Sequence, residues 1–217
     1  MSTALPLSVD EVLTTTRSVR RRLDYTRPVD PALIRECLAL AQQAPTQSDT
    51  QSFHFVVMTD AARKKRMAEL IRAGVETYRN SPAGLFGLRH EDPQREAARL
   101  RIIESIQPML DHAEEVPAWV FPCIEGSLEG MPPVYAGVLM GSVIPAAWSF
   151  MLAARSRGLG TCWMNLHQLT GAAADELIGL PPGVIQVCGI AVGHTIGTGF
   201  KPAYRRPLEE IVHTDTW

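Results

Sequence analysis

The 217-residue chain has room for one well-packed α/β or α+β core and little for a second. With 46% apolar and 20% charged residues it falls among ordinary globular proteins, which excludes a disordered or collagen-like chain. A formal charge of −2, with the basic residues scattered, leaves no electrostatic footprint for nucleic acid. In chain order, Ser8-Val9-Asp10-Glu11 reads as a capping box that starts a first helix. Asp30-Pro31 supplies an N-cap and a first-turn proline for a second helix that runs until Pro45. The polar stretch Thr46 to Ser52 is a loop, and Phe53 to Met58 has strand composition. Asp60 caps a basic amphipathic helix through about Ala73, and Asn80 to Pro93 is irregular. Gln94 to His112 forms a further helix, and Val116 to Ile124 a short strand whose prolines point to a sheet edge. The stretch 74–133 is the least regular part and the expected lid or substrate-facing insertion.

Val134 to Ala154 carries no charge over a length that would span a bilayer. Ser142, Pro145, Trp148 and Ser149 within it, and the lack of a second such stretch, favour a buried helix and no membrane. A helix needing so much cover points to a second subunit, and Gly137 with Gly141 would let another helix approach. Gly158 and Gly160 then stop the helix, Thr161 to Met164 is a strand, Thr170 caps a short helix, and Val184 to Val192 is an apolar strand. Helices and strands alternate without a regular βαβ period, which favours α+β. Cys37, Cys123, Cys162 and Cys188 lie far apart with no metal-ligand spacing, so reduced buried thiols are expected. The first residues lack the basic and apolar regions of a secretory signal, which makes a cytoplasmic location the expectation.

No GxSxG, HExxH, Walker A or GxGxxG signature is present. Three polar clusters remain. Arg17 and Arg21, four apart at the end of the first helix, would share a helical face and could grip a phosphate, with Arg205 a third donor if the tail folds back. Taken alone, the run reads first as a solvated face. Thr46 to Gln51 has groups suited to a heterocycle's polar edge or to an exposed turn. The glycines of Gly158-Leu159-Gly160 are either a helix stop or a place where main-chain amides approach a flat ligand.

Taken together and in order, these clusters resemble the nitroreductase family of flavoproteins. TTRSVRRRLD resembles the family's RRSxRxF phosphate segment, and LAQQAPTQSDTQSFHFVVM its A-P-S-x-x-N-x-Q-P-W-x-F loop and strand. AAWSFMLAARSRGLGTCWM resembles the central helix and GLG turn, and AVGHTIGTGFKPAYRRPLEEIV the G-x-P…K-x-R-x-P-L-E-E end. The resemblance implies an α+β three-layer sandwich around a mostly antiparallel sheet, an intertwined homodimer, and FMN at the subunit interface. It assigns the FMN phosphate to Arg17, Ser18, Arg21 and Arg205, with Lys201 or Arg206 as further donors. Arg20 replaces Arg21 if the run is read one residue earlier; the spacing from Arg17 selects Arg21. Asp49 and Gln51 would reach the flavin ring from the partner subunit, and the main chain at Met164, Asn165 and Leu166 would face its N5 region. Asp49 stands where the family has Asn, so a carboxylate would oppose an anionic reduced ring, and Ser52-Phe53 replaces Pro-Trp. The implied activity is ping-pong hydride transfer from NADH or NADPH to a nitroaromatic or quinone acceptor, with no side chain as nucleophile. Related flavin chemistry (dehalogenation, ene reduction or dehydrogenation) and a non-enzymatic FMN-binding role are the alternatives.

Overall fold

The computed structural model describes residues 4–81 and 84–217, so Met1 to Thr3 and, within the stretch expected to be irregular, Pro82 and Ala83 lie outside it. Helix α1 (Val9–Thr15) begins as expected, with Ser8 and Glu11 capping each other. It stops earlier than the arginine spacing needs. The hydroxyls of Thr14, Thr15 and Thr16 each turn back to the carbonyl four residues before, a habit that bends and ends helices. Val19 N–H then donates to Thr161 O at 2.8 Å and Leu23 N–H to Arg20 O at 3.1 Å, so the arginine run passes from a bridge beside Thr161 into a tight turn. Arg17 and Arg21 therefore share no helical face.

Strand β1 (Leu23–Asp24) and helix α2 (Pro31–Ala41, capped by Asp30) follow, then strand β2 (Phe53–Met58). Helix α3 (Ala61–Arg79) runs six residues beyond the expected Ala73, straight through Gly74. Helix α4 (Pro93–Asp111) and strand β3 (Ala118–Glu125) make the 74–133 stretch more regular than expected. The long apolar helix is α5 (Pro133–Ser156), followed by β4 (Leu159–Met164), a 3-10 turn (Leu166–Thr170), α6 (Ala172–Ile178), β5 (Val184–Gln186) and β6 (Gly189–Thr195). Thr170 belongs to the turn and donates to His167 O at 2.6 Å, and Gly171 precedes α6 in its place. The single strand expected from Val184 to Val192 is two, broken at Val187-Cys188.

All strand pairs in the described sheet are antiparallel, which places the chain in the α+β class. β3 and β6 lie at the centre, with β2 outside β3 and β4 outside β6. β3 is thus no edge strand, despite its proline. Pro122 O accepts from Val187 N at 2.8 Å, so its nitrogen faces the gap where β6 ends and β5 begins, and no ladder bond is lost. One apolar layer, with Phe150, Ile34 and Leu159, fills the space between α2, α5 and the sheet; a second, with Trp119, Met67 and Ile71, lies under α3. The C-terminal half of α5 is enclosed by the first layer. The first two thirds of α5 leave Val134, Gly137, Gly141, Ile144 and Trp148 exposed at helical spacing, the face on which another helix is expected to pack.

Candidate functional site

Two hollows meet on one side of the sheet. The first is a cleft of about 1040 Å³ lined by Arg17, Ser18, Arg20, Arg21, Arg22, Arg101, Lys201 and Arg205. No carboxylate lines it among the described residues. The second is an apolar slot of about 370 Å³, floored by Cys162, Trp163, Met164, Asn165 and Leu166 and walled by Tyr78, Leu85, Ile102 and Ile106. Arg20 and Ile102 line both, so a ligand with an anionic end and a flat apolar body could occupy the two at once.

The arginine segment reaches the slot because Ser18 forms a parallel bridge with Thr161 on the outer edge of β4. Gly160 allows that approach: a Cβ there would stand 3.1 Å from Val19 and 2.8 Å from Thr195. Gly158, at φ +74°, ends the helix. Both glycines thus serve the chain's own packing, and the alternative reading, of amides meeting a ligand, is not needed for them. Arg21 is drawn outward to Glu104, 3.3 Å away, in an exposed pair. Arg20 points to the junction, its Nη1 3.5 Å from Ser105 Oγ, and it lines both hollows whereas Arg21 lines only the cleft. Arg205 lines the cleft with its Nη1 on Tyr204 O at 2.8 Å, and Arg206 does not line it. Arg101 on α4 was not foreseen, since nothing local ties that helix to the first arginines.

The floor is rigid for identifiable reasons. Asn165 spends its side chain on the fold: Oδ1 accepts from Trp163 Nε1 at 2.9 Å, and Nδ2 donates to Val187 O at 2.7 Å and to Gln168 Oε1. Its side-chain amide hydrogens are thereby engaged within the fold. His167 is fully buried beneath the turn, 2.7 Å from Gln186 Oε1, while the Gln186 amide nitrogen donates to Asp175 at 2.7 Å. The amide oxygen therefore faces the imidazole, Nε2 carries the proton, and Nδ1 has no partner among the described residues. Burial holds the His167 pKa below its usual value, and the ring is neutral. From above, α3 crosses the turn at Gly74, where a Cβ would lie 1.8 Å from Leu166 O. Only glycine fits there. The thiol of Cys162 is fully buried and pushed up by that burial, so it stays protonated and supplies no nucleophile.

The wall has its own fastening. Arg99, buried on α4, donates to Glu96 at 2.6 Å and to Leu85 O at 3.0 Å, and Glu96 accepts from His90 N at 3.1 Å. The Arg99 hydrogen bonds hold the Glu96 carboxyl down to about 2. Asp49 and Gln51 line neither hollow. They face each other, Gln51 Nε2 to Asp49 Oδ1 at 2.9 Å, in a loop where Ser48, Asp49 and Gln51 all have φ near +50°. That conformation is costly for residues with a Cβ, and it is anchored on α5 by Gln47 N–H to Ser142 Oγ at 3.1 Å. The loop so lies beside the exposed Gly137 and Gly141 face of α5.

The model of the Nitroreductase family matches residues 13–194. The chain belongs to the nitroreductase family. Among curated relatives, a chloronitrobenzene nitroreductase of Comamonas testosteroni is 24% identical, covering 85% of this chain and 86% of its own. An FMN reductase [NAD(P)H] of Bacillus subtilis is 26% identical, covering 94% and 72%. The crystal structure of the FMN and NADPH-dependent nitroreductase NfnB from sphigopyxis sp. strain HMH superposes with a TM-score of 0.68 over 97% of this chain and all of that one, at 24% identity. A BluB-like flavoprotein from Clostridium difficile 630 gives the same TM-score at 16% identity, over 95% of this chain and 98% of that one. The donor set fits the family's cofactor: a cation-lined cleft, without carboxylates among the described residues, meets an apolar slot at Arg20.

Proposed function

We propose that this nitroreductase-family protein works as a cytoplasmic homodimer that moves hydride from NADH or NADPH, through FMN, to a small flat acceptor of nitroaromatic or quinone type. Family membership, together with relatives named as nitroreductases and FMN reductases, makes it an NAD(P)H-dependent FMN oxidoreductase. The observation that carries the finer reading is the junction at Arg20 of a cationic cleft with an apolar slot.

When bound, FMN supplies a two-electron carrier that accepts hydride at N5 and releases it to a second molecule. Arg17, Ser18, Arg20 or Arg21, Lys201 and Arg205 hold its phosphate by charge-assisted hydrogen bonds. Arg20, at the cleft's inner end, favours negative charge on whatever lies in the slot. The main chain at Met164, Asn165 and Leu166 orients the ring, and Asp49 and Gln51 reach it from the second subunit. Tyr78, Leu85, Ile102 and Ile106 exclude water while donor and acceptor occupy the slot in turn. No side chain of the slot is poised to attack carbon, and the protons come from solvent.

Steady-state rates with NADPH and a quinone test the order of events. Parallel double-reciprocal lines support exchange in one slot, intersecting lines overturn it, and absence of nicotinamide oxidation leaves a flavin-binding protein without this activity. Light scattering at twice the chain's mass supports the homodimer, and a monomer contradicts the placement of Asp49 and Gln51.

A further inference from the structure

Two cations of the cleft, Lys201 and Arg205, sit on a tail that forms no strand and no helix until Leu208. A segment without a ladder holds its place only through side chains. The fastening converges on Phe200, which lines the cleft between Gly199 and Lys201. The guanidinium carbon of Arg22 lies over its ring at 4.1 Å from the centre, and that of Arg155 at 5.0 Å. Arg22 also donates Nη1 to Gly199 O at 2.7 Å and Nε to Ile196 O at 2.8 Å, and Ile196 N–H returns a bond to Arg22 O at 2.8 Å. Gly197, at φ +71°, keeps the chain close enough that a Cβ would stand 3.0 Å from Arg22 Nη2.

Arg155 is the unusual member. It is buried on α5, donates Nε to Thr15 Oγ1 at 3.2 Å, has no carboxylate partner, and leaves Nη1 unpaired among the described residues. A buried guanidinium without an anion is costly, and an aromatic face is one of the few apolar groups that offsets the cost. One ring thus answers two cations and pins the tail at the residue next to Lys201. Arg17 Nη1 adds a bond to Lys201 O at 3.2 Å, which joins the pinned tail to the first phosphate segment.

We propose that Phe200 is a positioning residue for the phosphate end of the flavin site, and that Arg22 and Arg155 act on this ring, Arg22 also on tail carbonyls, rather than on the ligand. The inference rests on the flavin reading above and adds a prediction that reading lacks. Loss of the ring should weaken binding of the phosphate and leave binding of the isoalloxazine alone.

FMN and riboflavin, which share the ring and differ in the phosphate, separate the two effects when each is titrated by fluorescence quenching onto protein stripped of flavin. The wild type is expected to prefer FMN. F200A and F200L should bind FMN about tenfold more weakly, the size of a good cation–π contact, with riboflavin unchanged. Equal weakening of both flavins, or unchanged FMN binding, overturns the proposal while the flavin reading stands. F200Y, which keeps an aromatic face, should behave as wild type, and it carries the comparison with F200L should F200A fail to fold. A wild type that binds neither flavin overturns the flavin reading itself, and the proposal with it.

Discussion

The floor of the slot and the tail that closes the basic cleft line adjoining hollows, but side-chain amides around a buried imidazole hold the first, and arginines on an aromatic ring and on carbonyls hold the second. Under the floor, Asn165, His167 and Gln168 are each bonded to Gln186 or Val187, and α3 presses on Leu166 O with no side chain between. Along the tail, cation–π contacts and bonds from Arg17 and Arg22 to carbonyls do the holding, in reach of water. The contrast follows from the work each must do. A floor that faces a reacting ring gains from preorganisation, whereas a phosphate grip has to let its ligand in.

The largest expected effect breaks the floor. H167A leaves Gln186 without its partner and opens a cavity, and should cost roughly 2 to 4 kcal/mol in urea unfolding, with flavin binding weakened. The network also predicts a pH dependence. Because the folded His167 pKa lies below its unfolded value near 6.5, the unfolded chain takes up the extra proton first, so this contribution is complete above about pH 6.5 and declines below it. H167A should flatten that part of the profile, and an unchanged profile would remove His167 from the account.

Next in size is G74A, whose new methyl would meet Leu166 O at 1.8 Å and must part helix and turn. Overpacking of this kind costs about 1 to 3 kcal/mol, and the bound-flavin absorbance bands should shift as the floor moves. A stable variant with an unshifted spectrum would show that the floor tolerates displacement.

On the tail side, R205Q should leave the melting temperature unchanged and weaken FMN about tenfold, the value of one charge-assisted hydrogen bond. A comparable drop in melting temperature would make Arg205 a structural residue. The smallest effect is expected of E104Q, which frees Arg21 from an exposed pair worth little by itself. FMN binding should tighten by up to about threefold at low salt, and the gain should vanish at high salt. Weaker binding in E104Q would mean that the pair holds Arg21 in place for the phosphate.

The same division governs what the sequence disclosed. The caps at Ser8 and Asp30, and β2, were legible because their signals are local: a hydroxyl three residues before a glutamate, a proline at the first turn, alternating aromatic and β-branched residues. The interior position of β3 was not, since the prolines that mark an edge are neutralised only when β5 and β6 meet beside Pro122. Gly74 reads locally as a helix stop and becomes intelligible only when the turn at Leu166 is set against it. Of the residues lining the hollows, the arginine run and the tail cations were readable as clusters along the chain, and Met164 to Leu166 only through the family resemblance. Arg20's place at the junction, the bracketing role of Arg22, and Arg101 depend on contacts across 80 residues or more, which no spacing rule reports.

In the proposed function electrons pass from nicotinamide to flavin in this slot. The direct test is an anaerobic absorbance spectrum of the FMN-loaded protein as NADH, then NADPH, and then a quinone are added. Flavin bands that bleach with a nicotinamide and return with the quinone are the predicted result. Bound flavin that neither nicotinamide bleaches would contradict the claim.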